Sequence, residues 1–227
     1  GELSLQDQIP WSSNYTYLAS VDDGTLQGMV IYKPRTGETP LWDFPAGTLG
    51  LREYAAFLVS ESLRWRLVPP TILRNGPEGP GMVQLYIDAN PEEHYFILRG
   101  AGYREAFQRV ALFDVVVNNA DRKAGHVLRD PQGHIWIIDH GLTFHEEDKL
   151  RTVIWDFAGQ PIPPAMLDDL AALAAQLEGE GPLLRAMNAG LLSDVEVDAL
   201  RRRLGRLLRR GSFPQPGAGR RVPWPPI

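Results

Sequence analysis

Residues 114–144 decide the fold of this chain, and they read DVVVNNADRKAGHVLRDPQGHIWIIDHGLTF. An apolar run enters a polar loop, and two short β-prone segments then flank a turn that contains proline and glycine. Segments of this kind around such a turn predict a β-hairpin. We expect its strands at 127–129 and 135–138, joined by the turn at 130–133.

The predicted hairpin gathers groups that could carry chemistry. Asp121 and Asp139 would emerge at the same end of it, and His126 would stand at the start of its first strand. Two carboxylates and an imidazole held close together suit a divalent cation and a phosphate. The alternative without chemistry is that Asp121 caps a turn and Asp139 ends a strand.

The same residues resemble the catalytic and metal-binding segments of the phosphatidylinositol 3-/4-kinase superfamily. The matching motifs are Asn-Ala-Asp-Arg at 119–122 and Ile-Asp-His-Gly-Leu-Thr-Phe at 138–144. The nearest pattern is that of type II phosphatidylinositol 4-kinases, and small bacterial proteins of unsettled function look similar as well. Each motif alone is a weak match, whereas two in the right order and at this spacing are a stronger one.

The resemblance implies an α+β, two-lobed protein-kinase-like fold, with an antiparallel β N-lobe carrying one helix and a mostly helical C-lobe. We expect the N-lobe, with its nucleotide-binding sheet and helix, at 1–88. The C-lobe, at 89–227, would hold the catalytic loop, the metal-binding segment, further helices and a proline-rich tail. The implied cofactors are ATP and a divalent metal, Mg²⁺ or Mn²⁺. The implied activity is transfer of the γ-phosphate to an alcohol group of an unidentified acceptor, which could be a protein, a polyol or a lipid headgroup.

The resemblance also assigns roles in the C-lobe. Asp121 would be catalytic, accepting a proton from the acceptor hydroxyl, and Arg122 or Lys123 would lie near the transferring phosphate. Asp139 would bind the metal. The family has asparagine as a second metal ligand where this chain has His126, and imidazole is a softer ligand that suits Mg²⁺ less well than Mn²⁺ or Zn²⁺. His126 is therefore predicted to bind the metal, with a hydrogen bond within the loop as the alternative.

The N-terminal part reads as β-structure with one helix. Residues 1–33 contain three β-prone segments separated by turn signals. Apolar residues at helical spacing predict an amphipathic helix over 51–62. Strands are predicted again at 71–73 and 81–87, with a turn at 75–81 between them.

Several of these N-terminal residues match groups that hold the nucleotide in the resembling family. The loop between the first two strands would cover the phosphates, and a lysine that ends the third strand would be oriented by a helix glutamate. The strand 81–87 would lead into a hinge against the adenine. The cofactor-binding residues predicted in this way are Ser12, Ser13, Asn14, Lys33, Glu53, Gln84, Leu85, Tyr86 and Ile87. An ordinary hairpin loop and a solvated strand-end lysine are the alternatives.

The C-terminal part reads as helical. Helices are predicted over 104–118 and 166–177, and Ser193 begins a capping box that opens a third helix. That third helix carries six arginines, which predict a solvated face or, as a minority interpretation, a surface for an acidic headgroup or acidic partner. The tail from residue 213 is rich in proline and glycine, and Trp224 is a candidate anchor for it.

Composition excludes several classes of protein. The net charge of −5 argues against a nonspecific nucleic-acid binder, which needs excess cations facing phosphates. No apolar run approaches the roughly 18 residues of a transmembrane helix. There is no cysteine, which excludes disulfides and thiolate metal sites and fits a cytoplasmic protein.

Two other functions remain open from the sequence. One is an enzyme that transfers AMP on the same fold, and the other is a catalytically silent nucleotide-binding module. The joint presence of Lys33, Glu53, Asp121 and Asp139 argues against the silent module, because each would have a separate job in phosphoryl transfer.

Overall fold

A five-stranded antiparallel sheet forms the N-terminal part of the protein in a computed structural model that describes residues 1–10 and 14–227. The spatial order of the strands is β1-β2-β3-β5-β4, and every neighbouring pair is antiparallel. The strands are β1 (Glu2–Gln8), β2 (Tyr17–Asp22), β3 (Gln27–Pro34), β4 (Thr71–Gly76) and β5 (Gly79–Leu85). The predicted antiparallel sheet is therefore confirmed.

The two faces of this sheet differ in character. Side chains alternate along a strand, so Val30 and Tyr32 share one face of β3 while Ile31 and Lys33 share the other. The first face holds a small apolar cluster in which Leu3, Ala19 and Val83 are also buried. The second face carries Lys33 toward the rest of the molecule.

Helix α1 (Leu49–Ser62) follows the sheet's first three strands and starts two residues before the predicted boundary. Its buried side chains include Ala55, Ala56 and Val59, which belong to the same apolar core as the C-terminal helices. The helix ends at Ser62, as the sequence predicts. The chain then turns through Arg64 and Arg66, whose φ angles are both positive.

The C-terminal part is mainly helical around one large core. Its helices are α2 (Tyr95–Leu98), α3 (Arg104–Val117), α4 (Pro164–Gln176), α5 (Pro182–Ala186) and α6 (Asp194–Arg210). A two-stranded hairpin, β6 (Val127–Arg129) with β7 (Ile135–Ile137), lies between α3 and α4, as the sequence predicts. In the part of the chain that the structure describes, no helix is both long enough and apolar enough to cross a membrane.

Two local predictions need correction, and one helix was not predicted. The turn expected at 75–81 is much shorter, because Gly76 already pairs with Gly79 across the β4–β5 hairpin. Helix α5 was not expected, since its surroundings are rich in glycine and proline. Trp224 does not anchor the tail: its side chain is 77% exposed, and Phe213 is the tail aromatic that is buried.

Helix α6 begins as the capping box predicts. Ser193 Oγ accepts a hydrogen bond from the backbone N–H of Glu196, and the Glu196 carboxylate accepts one from the backbone N–H of Ser193. This reciprocal pair satisfies donors that a helix start leaves open. It also holds Glu196 where it meets a residue of α1.

Candidate functional site

Three charged side chains from three different elements meet at the cleft between the sheet and the helical part. Lys33 Nζ, at the end of β3, donates a hydrogen bond to Glu53 Oε1 of α1 at 2.6 Å. The same ammonium lies 3.5 Å from Asp139 Oδ1, which follows β7. Glu53 is buried, whereas the Asp139 carboxylate is 48% exposed and so open to the cleft.

Electrostatics keep these groups charged. Burial opposes the charge on Lys33, but the carboxylates of Glu53 and Asp139 outweigh it and raise the pKa of Lys33 above its ordinary value. The Lys33 ammonium in turn lowers the pKa of Asp139 below its usual range. At neutral pH the cleft therefore presents an ammonium next to an ionised carboxylate, which is what nucleotide phosphates and their metal require.

Glu53 also holds the segment that carries Asp139. Its second oxygen, Oε2, accepts a hydrogen bond from the backbone N–H of His140 at 2.8 Å. The preceding residue, Arg52, donates to the Thr143 carbonyl at 2.6 Å and to Glu196 Oε1 at 2.5 Å. Helix α1 is thus fastened to the segment after β7 at two points. The sequence analysis missed Arg52, which gave no signal beyond being a charged residue next to Glu53.

Asp121 lies on the loop between α3 and β6. Asn119 Oδ1 accepts a hydrogen bond from the backbone N–H of Asp121 at 2.9 Å and so fixes the loop at this point. Lys123 Nζ lies 3.5 Å from Asp121 Oδ2. Partial burial raises the pKa of Asp121, with the charge of Lys123 acting in the opposite direction. A carboxylate with a raised pKa is a stronger proton acceptor than an ordinary aspartate.

Arg122 does not reach the cleft. Its side chain is completely buried and donates from Nε to Asp114 Oδ1 at 3.0 Å, from Nη1 to the Ile138 carbonyl at 2.8 Å and from Nη2 to His140 Nε2 at 2.7 Å. These bonds join the Asp121 loop to the segment after β7. Of the two cations expected beside the transferring phosphate, Lys123 is the one that contacts Asp121.

The geometry of His126 favours a hydrogen-bonding role. The backbone N–H of Lys123 points at His126 Nδ1 at 3.4 Å, which makes Nδ1 an acceptor and leaves the ring proton on Nε2. Nε2 then faces Asp139 Oδ2 at 3.4 Å. Burial lowers the pKa of His126 to about 4, so the ring is neutral at pH 7. Metal binding through Nε2 would need the other tautomer.

The donor set fits a metal that arrives with phosphates. Over residues 1–10 and 14–227, no three His, Asp or Glu side chains are grouped so that they could hold a metal ion by themselves. Mg²⁺ is commonly bound through one or two carboxylates, with substrate phosphates and water completing its shell. The ionised and half-exposed carboxylate of Asp139 suits that mode of binding.

Two of the residues expected over the phosphates, Ser12 and Ser13, lie outside the described residues. The third, Asn14, accepts a hydrogen bond on Oδ1 from the backbone N–H of Thr39 at 2.7 Å. Its amide oxygen therefore ties the first hairpin to the loop after β3.

The expected hinge residues differ in what they offer. Gln84 is buried, and its amide donates to Thr71 Oγ1 at 2.9 Å. The backbone N–H groups of Leu85 and Tyr86 already donate to Pro70 and Met29 carbonyls, at 2.8 and 3.0 Å. For Ile87, one residue later, no hydrogen bond joins the backbone N–H to another residue of the described ranges.

Two apolar residues that the sequence analysis missed lie on the cleft face of the sheet. Ile31 is two residues before Lys33 and shares its face, and Leu18 of β2 pairs directly with Ile31. Both are partly exposed. Alternate residues of a strand lie on the same face, so counting back two residues from Lys33 along β3 would have identified Ile31.

Comparison with known proteins gives the family. The chain is 41% identical to Protein Rv2133c of Mycobacterium tuberculosis (strain ATCC 25618 / H37Rv), over 99% of this chain and 92% of that protein. The chain belongs to the Rv2133c family. No protein-family model matches it.

Two further proteins are similar to this chain. Phosphatidylinositol 4-kinase gamma 4 of Oryza sativa subsp. japonica is 28% identical over 57% of this chain and 26% of its own length. The crystal structure of the Helicobacter pylori proinflammatory kinase CtkA superposes with a TM-score of 0.57 at 13% identity, covering 93% of each chain. The two-lobed, kinase-like fold expected from the sequence is therefore confirmed.

Proposed function

We propose that this member of the Rv2133c family is an ATP-dependent phosphotransferase, an atypical kinase that moves the γ-phosphate to an alcohol group. The observation that carries the proposal is the meeting of Lys33, Glu53 and Asp139 in one cleft. In kinases a lysine oriented by a helix glutamate holds the α- and β-phosphates, beside an aspartate that binds the metal.

The nucleotide would lie between an N-lobe at 1–88 and a C-lobe at 89–227. In this proposal Lys33 binds the α- and β-phosphates, and the apolar pair Leu18 and Ile31 packs against the adenine. The Ile87 N–H would be the hinge donor to the base, because the N–H groups of Leu85 and Tyr86 already donate to backbone carbonyls.

Asp139 would bind a divalent metal, Mg²⁺ or Mn²⁺. When bound, the metal would neutralise charge on the β- and γ-phosphate oxygens. His126 would hold the Asp139 carboxylate in position through its Nε2–H. The alternative is that His126 is a second metal ligand. The metal preference of the variant His126→Asn, described in the Discussion, distinguishes the two roles.

Asp121 would accept the proton of the acceptor hydroxyl. As that proton leaves, the acceptor oxygen bonds to the γ-phosphorus and the bond from this phosphorus to the β–γ bridging oxygen breaks. ADP departs with the electron pair of that bond. Lys123, which stands 3.5 Å from Asp121, would offset charge on the transferring phosphate.

The acceptor is the open part of the proposal. The rice relative is named a phosphatidylinositol 4-kinase, but this chain matches only 26% of its length. A lipid headgroup therefore stands beside a protein and a polyol as candidate acceptor, because a shared fold does not fix a substrate.

Incubation with ATP labelled separately at the α- and γ-phosphates tests the proposal. The assay contains Mg²⁺ or Mn²⁺ and a panel of protein, polyol and lipid acceptors, with Asp121→Asn as the isosteric control. We expect label from the γ-position only, and none with the control. Transfer of α-label would instead identify an AMP-transferring enzyme. A lack of transfer with every acceptor, together with tight ATP binding, would identify a silent nucleotide-binding module.

A further inference from the structure

A cavity of about 320 Å³ in the C-lobe is lined by an unusual concentration of positive charge. Arg203, Arg206 and Arg210 of α6 reach it, together with Arg221 of the tail, and Asp148 is the one carboxylate in its lining. The chain as a whole has a net charge of −5, so this surplus of cations is local. We call this site the Arg cavity.

The spacing of the arginines on α6 explains why they share the cavity. Residues three, four and seven apart lie on one side of a helix, so Arg203, Arg206 and Arg210 form one stripe. Arg202 and Arg209 belong to the same helix but do not line the cavity. Of the six arginines of α6, three line the cavity and the other three, which include Arg201, point elsewhere.

Arg203 is built into the wall of the cavity. Its side chain is only 6% exposed, and it donates from Nε to the Val116 carbonyl at 2.9 Å and from Nη1 to the His145 carbonyl at 3.2 Å. Its remaining nitrogen, Nη2, is buried and has no hydrogen-bond partner in the described structure. Buried donors are nearly always paired, so this residue of the cavity wall keeps one guanidinium nitrogen whose hydrogen-bonding capacity is unused.

Burial and neighbouring charges both act on Arg203. Burial lowers the pKa of Arg203 to about 9, the nearby positive charges of Arg206 and Arg202 act in the same direction, and the carboxylates of Asp148 and Glu196 act against it. The side chains of Arg206 and Arg210 form no ion pair or hydrogen bond with any residue in the described ranges. Arg221 is the one cavity arginine that has a carboxylate, at 3.1 Å from Asp148 Oδ2.

We propose that the Arg cavity binds the phosphate group of a small anionic ligand through Arg203, Arg206 and Arg210. Guanidinium groups match phosphate oxygens with paired hydrogen bonds, and three of them facing one Asp–Arg pair favour a dianion over a single carboxylate. The cavity is larger than a bare phosphate needs, which leaves room for an organic group attached to it. This proposal does not depend on kinase activity.

Occupancy of the Arg cavity would act on the segment that follows the candidate metal-binding residue. Arg203 Nη1 and Asn118 Nδ2 both donate to the carbonyl of His145, at 3.2 and 2.9 Å, and Asn118 also donates to the carbonyl of Glu147 at 2.6 Å. Arg221 holds Asp148 of the same segment. A phosphate that orders these arginines would therefore stabilise residues 145–148.

Calorimetric titration at constant ionic strength tests the proposal, with inorganic phosphate and a hexose phosphate as separate probes. The cavity variant is Arg206→Gln with Arg210→Gln. The matched control is Arg202→Gln with Arg209→Gln, which removes the same charge from the same helix outside the cavity. We expect saturable binding to the parent, a loss of affinity of about tenfold or more in the cavity variant, and a change within about twofold in the control.

Phosphate could also bind at the ATP cleft, so Lys33→Met is included and should retain the cavity binding. Tighter binding of the hexose phosphate than of inorganic phosphate would indicate an organic phosphate as the ligand, and equal binding would indicate free phosphate. Equal losses in the cavity variant and the control would overturn the proposal, because they would show only an effect of net charge. Absence of saturable binding to the parent, or its loss in Lys33→Met, would overturn it as well.

Discussion

Replacing Arg122 with methionine separates a structural role for this residue from a role at the transferring phosphate. Arg122 and Asp114 are both completely buried, and the substitution leaves the Asp114 carboxylate without its cation. It also removes the donors to the Ile138 carbonyl and to His140 Nε2. Breaking a buried ion pair on one side costs about 3–5 kcal/mol. Asp114 keeps a hydrogen bond from Thr152, so we expect the lower end, about 3 kcal/mol.

The loss should depend on pH in a definite direction. Burial already raises the pKa of Asp114 in the parent, against the effect of Arg122, and loss of the guanidinium would raise it further. The folded state then binds a proton that the unfolded state has released, so stability falls as pH rises above the unfolded pKa of aspartate. Arg122→Met should therefore be least stable at neutral pH and recover part of its stability near pH 5.

Urea unfolding of Arg122→Met, Asp114→Leu and the double variant, each at neutral pH and near pH 5, measures these effects. Because the double variant has no unpaired buried charge, its loss should be well below the sum of the single losses. The reasoning is refuted if Arg122→Met unfolds with the parent's free energy and slope but has lost turnover. In that case Arg122 would act at the phosphate after all.

The remaining predictions concern the cleft. Asp139→Asn should abolish most of the increase in melting temperature that ATP with Mg²⁺ gives the parent, and an undiminished increase in a thermal scan would contradict the assignment. Asp121→Ala should lower turnover by about 10²–10⁴-fold in the transfer assay while ATP affinity is kept, and normal turnover would exclude Asp121 as proton acceptor. His126→Asn should leave the preference between Mg²⁺ and Mn²⁺ unchanged if His126 only orients Asp139, whereas a shift toward Mg²⁺ would identify it as a ligand. Chelation of divalent metal should weaken ATP binding without unfolding the protein, which circular dichroism with and without EDTA would show, because the metal is expected only with the nucleotide.

Local signals predicted the elements that depend on local physics. The β6–β7 hairpin follows from a turn with proline and glycine between β-branched residues, and α6 follows from the capping box at Ser193. The meeting of Lys33 with Glu53 is different, because 20 residues of loop and helix separate them. Only the family resemblance indicated that contact.

The orientation of Arg122 shows why the directions of some side chains could not be predicted from the sequence. Beside Asp121 in sequence it looks like a residue of the cleft, and whether it points out or in depends on packing from β7 and α3. One signal was available, since Asp114 lies within the apolar run of α3. A charged residue on a buried helix face needs a buried partner, and the arginines nearby in sequence were the candidates.

Helix α1 is tied to the helical part of the molecule as well as to the sheet that precedes it in the chain. Its apolar side chains pack in the large core, and Arg52 and Glu53 bond to residues after β7, while the sheet has a small cluster of its own. We expect the sheet to shift relative to α1 when a nucleotide enters or leaves the proposed site, and the Lys33–Glu53 hydrogen bond is the contact that would lengthen. The distance between a spectroscopic label on β3 and one on α1 should change when the nucleotide binds. The distance between labels on α1 and α6 should stay constant.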